Sequence, residues 1–169
     1  QTFITERNIT IKAKKADYQL SSTDIGESQF EMIKKLELNR EKHLELIRYC
    51  NRRDIKFLST AFDHESIDLL VELNISLFKI PSGEITNLPY LRHVSRIGKP
   101  VILSTGMATL EEIDETVRAI METGNDNLIL LQCTTNYPSK LEDTNLRTMQ
   151  TMADTFDSII GYSDHTLGI

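Results

Sequence analysis

Short apolar runs and amphipathic helices alternate along the sequence from Lys56 onward, and this alternation restricts the fold more than any other pattern does. The apolar runs suit buried strands and lie at residues 57–58, 77–80, 101–103, 128–131 and 159–160. Four of them are followed by apolar residues at helical spacing, with N-caps predicted at Asp63, Asn87, Thr109 and Thr144. Two earlier helical patterns follow Ser28 and Asn39. Such alternation is typical of a parallel β-sheet.

Two architectures fit this pattern, a (β/α)8 TIM barrel and a doubly wound open sheet. A doubly wound nucleotide-binding fold is expected to carry a glycine-rich phosphate turn after its first strand. The sequence contains neither G-x-G-x-x-G nor a P-loop. We therefore predict an α/β fold of the (β/α)8 barrel type, with the open sheet as the alternative.

Polar residues follow every predicted strand of this region. They lie at residues 59–60, 82–84, 104–106, 134–137 and 162–165. The carboxyl ends of barrel strands converge on one mouth, where active sites lie. A polar residue after one strand is ordinary turn chemistry, whereas a hydroxyl after each of five strands indicates a shared site.

Lys79 lies inside an apolar run, where an unpaired ammonium is costly to bury. Either its side chain reaches solvent at the strand end, or it binds a small anion together with the hydroxyls and amides of the neighbouring turns. Glu84, in the turn after Lys79, is the candidate acid or base, and its protonation state is left open. His165 is a candidate metal ligand or proton shuttle, although a single histidine is more often only hydrogen-bonded.

The charge of the chain argues against a nucleic-acid-binding or membrane-surface protein. It has 19 Lys and Arg against 25 Asp and Glu, a net charge of -6 at pH 7, and those classes need a basic field. We find no apolar run of about 18 residues and no signal-peptide pattern, so a cytoplasmic location is expected. Cys50 and Cys133 suit buried, reduced thiols without a disulfide, and we assign them no chemistry.

Several motifs together resemble the sialic acid synthases, and they span nearly the whole chain. They are QTF at 1–3, KADYQ at 15–19, ESQFEM at 27–32, FLST at 57–60, KIPSGE at 79–84, ILSTGM at 102–107, CTTNYP at 133–138 and GYSDHT at 161–166. So many motifs in register are far more specific than any one of them.

The resemblance implies that residues 1–169 form part of a TIM-barrel catalytic domain, covering roughly its second to seventh strands. It implies that phosphoenolpyruvate is bound by Thr60, Lys79, Ser82, Ser104, Thr135, Tyr137 and Ser163. By the same resemblance Glu84 lies between the two substrates and Gln1 contacts an N-acetylated aminosugar. The resemblance also implies that His165 is one of two histidine ligands of a divalent metal, Mn²⁺ with Mg²⁺ as the alternative.

The implied activity is an N-acetylneuraminate synthase, which condenses phosphoenolpyruvate with N-acetylmannosamine and water and releases phosphate. A legionaminate or other nonulosonate synthase is the alternative, because a sugar-contacting asparagine of some family members has no clear counterpart in residues 21–26. A Schiff-base aldolase built on Lys79 and a non-catalytic sugar-phosphate-binding module rank lower.

Some family features have no counterpart in these 169 residues. They are the lysine before the position of Gln1, the acidic residue of the first strand, the second metal histidine and the C-terminal antifreeze-like domain. On the barrel interpretation these residues supply only about six of the eight strands, so we expect residues 1–169 alone to be aggregation-prone or molten. The full-length protein is expected to be a homodimer.

Overall fold

The computed structural model describes residues 1–16, 19–20, 23–24 and 26–168. Parts of the KADYQ motif and of the loop predicted to bear on the choice of sugar lie outside the described residues, namely Asp17, Tyr18, Ser21, Ser22 and Ile25. The chain divides into two compact units, Gln1–Ile75 and Ser76–Ile169, and each is described by itself.

The described part of the first unit is helical. Its helices are α1 (Thr5–Asn8), α2 (Gln29–Lys34), α3 (Arg40–Arg52) and α4 (His64–Glu72). The predicted starts of the last three are confirmed: Ser28 forms a capping box with Glu31, and the side chains of Asn39 and Asp63 accept backbone N–H groups of the first turns.

One predicted strand in this unit is wrong. Residues 57–58 form no strand, Leu58 is 42% exposed, and the ring of Phe57 packs edge-on against the buried His43. The parallel pairing lies further along, as an isolated bridge between Thr2 and Ala61. Apolar character alone does not separate a paired strand from an extended segment that packs through one ring.

The second unit contains a parallel sheet flanked by helices, so the predicted α/β class is confirmed. Its strands are β1 (Phe78–Ile80), β2 (Val101–Ser104), β3 (Leu128–Cys133) and β4 (Ile159–Ser163), in spatial order β1-β2-β3-β4. The helices between them are α5 (Leu88–Ser95), α6 (Leu110–Met121) and α7 (Arg147–Thr155). Closure of the sheet into a barrel stays a prediction.

Most helix starts of this unit agree with the sequence pattern. Asn87 caps α5, and Thr109 forms a capping box at the start of α6. The predicted cap at Thr144 is wrong, because α7 begins after Leu146. The Thr144 hydroxyl donates instead to the carbonyl of Leu141 (2.9 Å), which closes a 3₁₀ turn.

The core of this unit lies between one face of the sheet and the helices. Its fully buried residues include Ile80, Val101, Leu103, Leu130, Leu91 and Ile120. Burying each such side chain contributes about 1.5 to 3 kcal/mol. The alternation of Phe78, Lys79 and Ile80 as buried, half-buried and buried directs Lys79 to the opposite face.

Two further sequence expectations concern the membrane and the cysteines. Within the described ranges, every helix is too short or too polar to cross a bilayer. Both cysteines are free thiols, as predicted, but only Cys133 is buried, whereas Cys50 on α3 is half-buried.

Candidate active site

The parallel register places one side chain from each strand on the same face of the sheet. These residues are Lys79, Ser104, Cys133 and Ser163. Ser104 lies two residues further along β2 than the residue that pairs with Lys79. In the same way, Cys133 lies two residues further along β3 than the residue that pairs with Ser104, and Ser163 of β4 pairs directly with Cys133. Side chains two residues apart share a face, so Lys79 and two predicted hydroxyl groups line one surface toward the carboxyl ends of the strands.

The ammonium group of Lys79 lies within this row. Its Nζ donates to Ser104 Oγ at 2.6 Å. The side chain is half-buried, and burial lowers the pKa of Lys79 while the nearby Cys133 acts in the opposite direction. Ser104 is a neutral partner, so the positive charge is available to an anion on this face.

Ser82 joins the turns after β1, β2 and β3. Its Oγ accepts the backbone N–H of Gly106 at 2.9 Å and lies 3.2 Å from Cys133 Sγ. A Cβ atom at position 106 would lie 2.9 Å from that sulfur, 3.1 Å from Ser82 Oγ and 3.0 Å from Thr135 Cγ2. The close approach of the three turns therefore requires glycine at position 106.

Glu84 lies on the 3₁₀ turn Ser82–Glu84, directly after β1. Its Oε2 accepts from Asn87 Nδ2 at 2.7 Å, and Asn87 is also the N-cap of α5. The carboxylate is thus held at the carboxyl edge of the sheet by the start of the next helix. The described contacts of Glu84 do not include a hydrogen bond to Lys79.

His165 is oriented by the backbone of the turn after β3. Its Nδ1 lies 2.5 Å from the carbonyl oxygen of Thr134. That contact requires a proton on Nδ1 and leaves the lone pair of the neutral ring on Nε2. The ring of Tyr137, whose residue is 70% exposed, lies 4.3 Å from the imidazole between centroids, so two predicted site residues are adjacent.

A divalent metal bound at His165 would need further ligands on this surface. His165 has the tautomer of a metal ligand. Among the described residues, however, no group of three or more His, Cys, Asp or Glu side chains could hold a metal ion. The residues present therefore fit one ligand of such a site and not a complete site.

The loop that carries His165 is organised by the neighbouring Asp164. Its carboxylate accepts from the backbone N–H and the hydroxyl of Thr166 at 2.9 and 3.0 Å, and these bonds lower the pKa of Asp164. The backbone N–H of Ser139 donates to the carbonyl of His165 at 2.8 Å, which ties this loop to the turn after β3.

The two remaining predicted residues belong to the first unit. Thr60 accepts the backbone N–H of Thr2 at 2.8 Å through its carbonyl, so Gln1 and Thr60 flank the same bridge. Gln1 is exposed and Thr60 is half-buried. Their roles in substrate binding stay predictions.

Two residues of the site are not among the residues that the sequence predicts. The sequence indicates no chemistry for Cys133, yet its sulfur contacts Ser82, and Gly106 donates to the same hydroxyl. The available signal was position, because Cys133 ends β3 as Ser104 ends β2.

Together these groups can bind a small anion. Ser82, Ser104 and Ser163 supply hydroxyl groups, and Lys79 supplies a cation that the sheet partly desolvates. Charge-assisted hydrogen bonds of this kind are about twice as strong as neutral ones.

Comparisons with known proteins agree on one family. The sequence model of the NeuB family matches residues 1–169. The whole chain is 51% identical to the N,N'-diacetyllegionaminic acid synthase of Campylobacter jejuni and 46% identical to the protein of that name from Legionella pneumophila, covering 51% and 49% of their lengths.

A solved structure shows the same fold. The crystal structure of N-acetylneuraminic acid (sialic acid) synthetase from Leptospira borgpetersenii in complex with citrate superposes with a TM-score of 0.84 at 28% identity. The match covers 99% of this chain and 54% of that one. The chain thus spans about half the length of the relatives it matches.

Proposed function

The chain belongs to the NeuB family, and on that premise we propose that it supplies part of the active site of a phosphoenolpyruvate-dependent nonulosonate synthase. The observation that carries the proposal is the row of residues on the second unit, in which Lys79 Nζ donates to Ser104 Oγ at 2.6 Å and Ser82 Oγ lies 3.2 Å from Cys133 Sγ. A phosphate or carboxylate is bound strongly by a cation together with hydroxyl donors, because the cation makes charge-assisted hydrogen bonds.

The proposed reaction joins three carbons to a six-carbon sugar. C3 of phosphoenolpyruvate forms a bond to the aldehyde carbon of the open-chain sugar, and the aldehyde oxygen takes up a proton. Water adds to the cationic C2 and loses one proton. The C2–O bond to phosphate then breaks, the phosphate leaves with the bonding electrons, and the new C2 hydroxyl loses its proton to become the keto group. Lys79 and the serine hydroxyls hold the phosphate while charge develops on it.

Glu84 is the group proposed to move a proton in this reaction. It lies at the carboxyl edge of the sheet, two residues after Ser82, and Asn87 Nδ2 fixes one of its carboxylate oxygens at 2.7 Å. A carboxylate held in this way can act as general acid or base for the aldehyde oxygen or the attacking water.

The proposed acceptor is a diacetamido hexose rather than N-acetylmannosamine. The two relatives at 51% and 46% identity are named for N,N'-diacetyllegionaminic acid, whereas the sialic acid synthetase is 28% identical. A product with two acetamido groups requires an acceptor that carries both, because phosphoenolpyruvate contributes neither. The N-acetylneuraminate synthase predicted from the sequence becomes the second candidate.

Two features of the predicted enzyme are carried forward as proposals. The TM-score of 0.84 supports a barrel of the synthetase type for the complete catalytic domain. The tautomer of His165 supports a role in binding a divalent metal, Mn²⁺ or Mg²⁺, whose chemistry would be to polarise the sugar aldehyde. The described residues supply one ligand of such a site.

The test is phosphate release by the full-length protein from phosphoenolpyruvate. The acceptors are diacetamido hexoses, N-acetylmannosamine and unmodified mannose, with the Lys79→Met variant as a control of reduced activity. We expect the highest kcat/KM with a diacetamido sugar. Highest activity with N-acetylmannosamine would favour the second candidate, an N-acetylneuraminate synthase.

Two other outcomes would overturn the proposed class. Inactivation by borohydride in the presence of pyruvate would identify a Schiff base on Lys79 and an aldolase. Tight phosphoenolpyruvate binding without phosphate release for any acceptor would identify a binding module.

A further inference from the structure

Cys133 makes a contact that has no role in the proposed reaction as described above. Cys133 is the last residue of β3 and is 5% exposed. Its sulfur lies 3.2 Å from Ser82 Oγ. The same oxygen accepts the N–H of Gly106 at 2.9 Å. Ser82 therefore has two neighbours on the protein before any ligand arrives.

The hydrogen-bond capacity of a serine hydroxyl limits what these neighbours can do. The hydroxyl has one proton and two lone pairs, and Gly106 occupies one lone pair. If Ser82 donates its proton to the sulfur, the hydroxyl has nothing left to donate to an anion. If the thiol donates to the second lone pair, the Ser82 proton is directed away from the protein and toward the ligand. A bound anion accepts hydrogen bonds only, so it favours the second arrangement.

We propose that Cys133 is a positioning residue for phosphoenolpyruvate binding: its S–H occupies the second lone pair of Ser82 and leaves the Ser82 proton for the anion. The inference rests on the proposed function, since it assigns a role at the same anion site. Cys133 touches Ser82 and acts through it.

The surrounding geometry holds the thiol in this place. A Cβ at position 106 would meet Cys133 Sγ at 2.9 Å and Ser82 Oγ at 3.1 Å, so the sulfur, the hydroxyl and the Gly106 backbone are in close mutual contact. Ser163 lies opposite Cys133 in the register. Close packing on several sides limits the rotamers open to the thiol.

The test compares Cys133→Ala and Cys133→Ser in the full-length protein, with Cys50→Ala as the matched control. Cys133→Ala removes the donor, and we expect KM and Kd for phosphoenolpyruvate to rise by about three- to tenfold, with a smaller change in kcat. Cys133→Ser restores an O–H donor and should bring both constants back to within about twofold of the unmodified protein. Cys50, on α3 of the first unit, should be neutral.

A double-mutant cycle separates positioning from packing. If Cys133 acts through Ser82, then Cys133→Ala in a Ser82→Ala background should cause no further loss of phosphoenolpyruvate binding. The same loss in both backgrounds, or no rescue by serine, would overturn the role of Cys133 while leaving the proposed function intact. If the unmodified protein binds no phosphoenolpyruvate, both the role of Cys133 and the proposed function are overturned. Calorimetry on the unmodified protein alone detects this outcome.

Discussion

At the scale of single residues, Lys79 lies where a bound anion would serve as its charge partner. Its ammonium is half-buried and hydrogen-bonded to a neutral hydroxyl, and burial lowers its pKa. In the part of the chain that the structure describes, the ammonium donates to Ser104 Oγ at 2.6 Å and to the Ile80 carbonyl at 3.5 Å, and both acceptors are neutral. A desolvated cation without a negative partner costs stability in the free protein and gains most from a bound anion.

We expect Lys79→Met to raise KM for phosphoenolpyruvate and to lower kcat. The loss in kcat/KM should be about 2 to 4 kcal/mol, the usual cost of removing one partner of a buried charge pair. Lys140→Met is the control, because the Lys140 side chain is 74% exposed. Unchanged kinetics in Lys79→Met would mean that the ammonium only reaches solvent.

The same variant should be at least as stable as the unmodified protein at neutral pH. The pKa of Lys79 is lower in the folded protein than in the unfolded chain. At a pH between that lowered pKa and the ordinary value of about 10.4, the unfolded chain therefore binds more protons than the folded protein. Stability of the unmodified protein should therefore rise with pH in that window relative to Lys79→Met. Thermal melts of both proteins between pH 7 and pH 10 measure this difference, and a constant difference would contradict it.

Glu84→Gln separates chemistry from binding. The substitution keeps an oxygen for Asn87 Nδ2 but removes the acid or base function, so turnover should fall about 100-fold or more while phosphoenolpyruvate affinity is nearly unchanged. The rate of phosphate release measures turnover, and calorimetry measures phosphoenolpyruvate affinity, so the two measurements together distinguish the effects. Glu142→Gln, on a side chain that is 76% exposed, is the matched control. Lost binding without a separate effect on turnover would make Glu84 structural.

His165→Ala addresses the proposed metal. We expect weaker Mn²⁺ binding by the full-length protein and loss of activity at low metal concentration, with partial recovery at high concentration, because one ligand of several is removed. Metal titration followed by electron paramagnetic resonance measures the affinity directly. Full activity of the chelator-treated unmodified protein would remove the basis for this proposal.

At the scale of elements, the turns between strands and helices assemble the site. The strands align Lys79, Ser104, Cys133 and Ser163 by register. The turn after β2 then brings the Gly106 backbone against Ser82 and Cys133. A parallel sheet sets which residues share a face, and the turns set which polar atoms meet.

Gly106→Ala tests this arrangement of turns. The added methyl would lie 2.9 Å from Cys133 Sγ and 3.1 Å from Ser82 Oγ, so the turns must separate and phosphoenolpyruvate binding should weaken by about tenfold or more. Gly83→Ala is the matched control, because its Cβ would meet nothing within 4 Å. Equal binding by the two variants would show that the close approach is not needed.

At the scale of the whole molecule, the second unit leaves apolar surface uncovered within the described residues. Ile159 at the start of β4 is 69% exposed, and Leu141 and Leu167 are 77% and 81% exposed. Exposed apolar groups favour association between chains, and Ile159 lies on β4, the outer strand of the described sheet.

We therefore expect residues 1–169 expressed alone to elute as aggregates. Because the described residues supply one ligand of the proposed metal site, we also expect this piece to bind Mn²⁺ weakly and to release no phosphate from phosphoenolpyruvate. Size-exclusion chromatography and a thermal melt test this directly. A monomeric elution volume with a cooperative transition would contradict the expectation and favour the open-sheet alternative over the barrel.

Several features were determined by the sequence itself. The parallel α/β class follows from strands that recur with helices between them, and the caps at Asp63, Asn87 and Thr109 follow from side chains that bond their own first turn. The motif resemblance to the sialic acid synthases is confirmed by the family match over residues 1–169. These features are local or periodic, so the chain encodes them without reference to distant partners.

Other features were decided only by the tertiary structure. Residues 57–58 are apolar enough for a strand but form no ladder, because strand pairing depends on a neighbour that no local pattern specifies. Thr144 closes a turn instead of capping α7 because its hydroxyl finds the Leu141 carbonyl. The contact of Cys133 with Ser82 joins residues 51 positions apart, and only packing of the turns brings that thiol to the anion site.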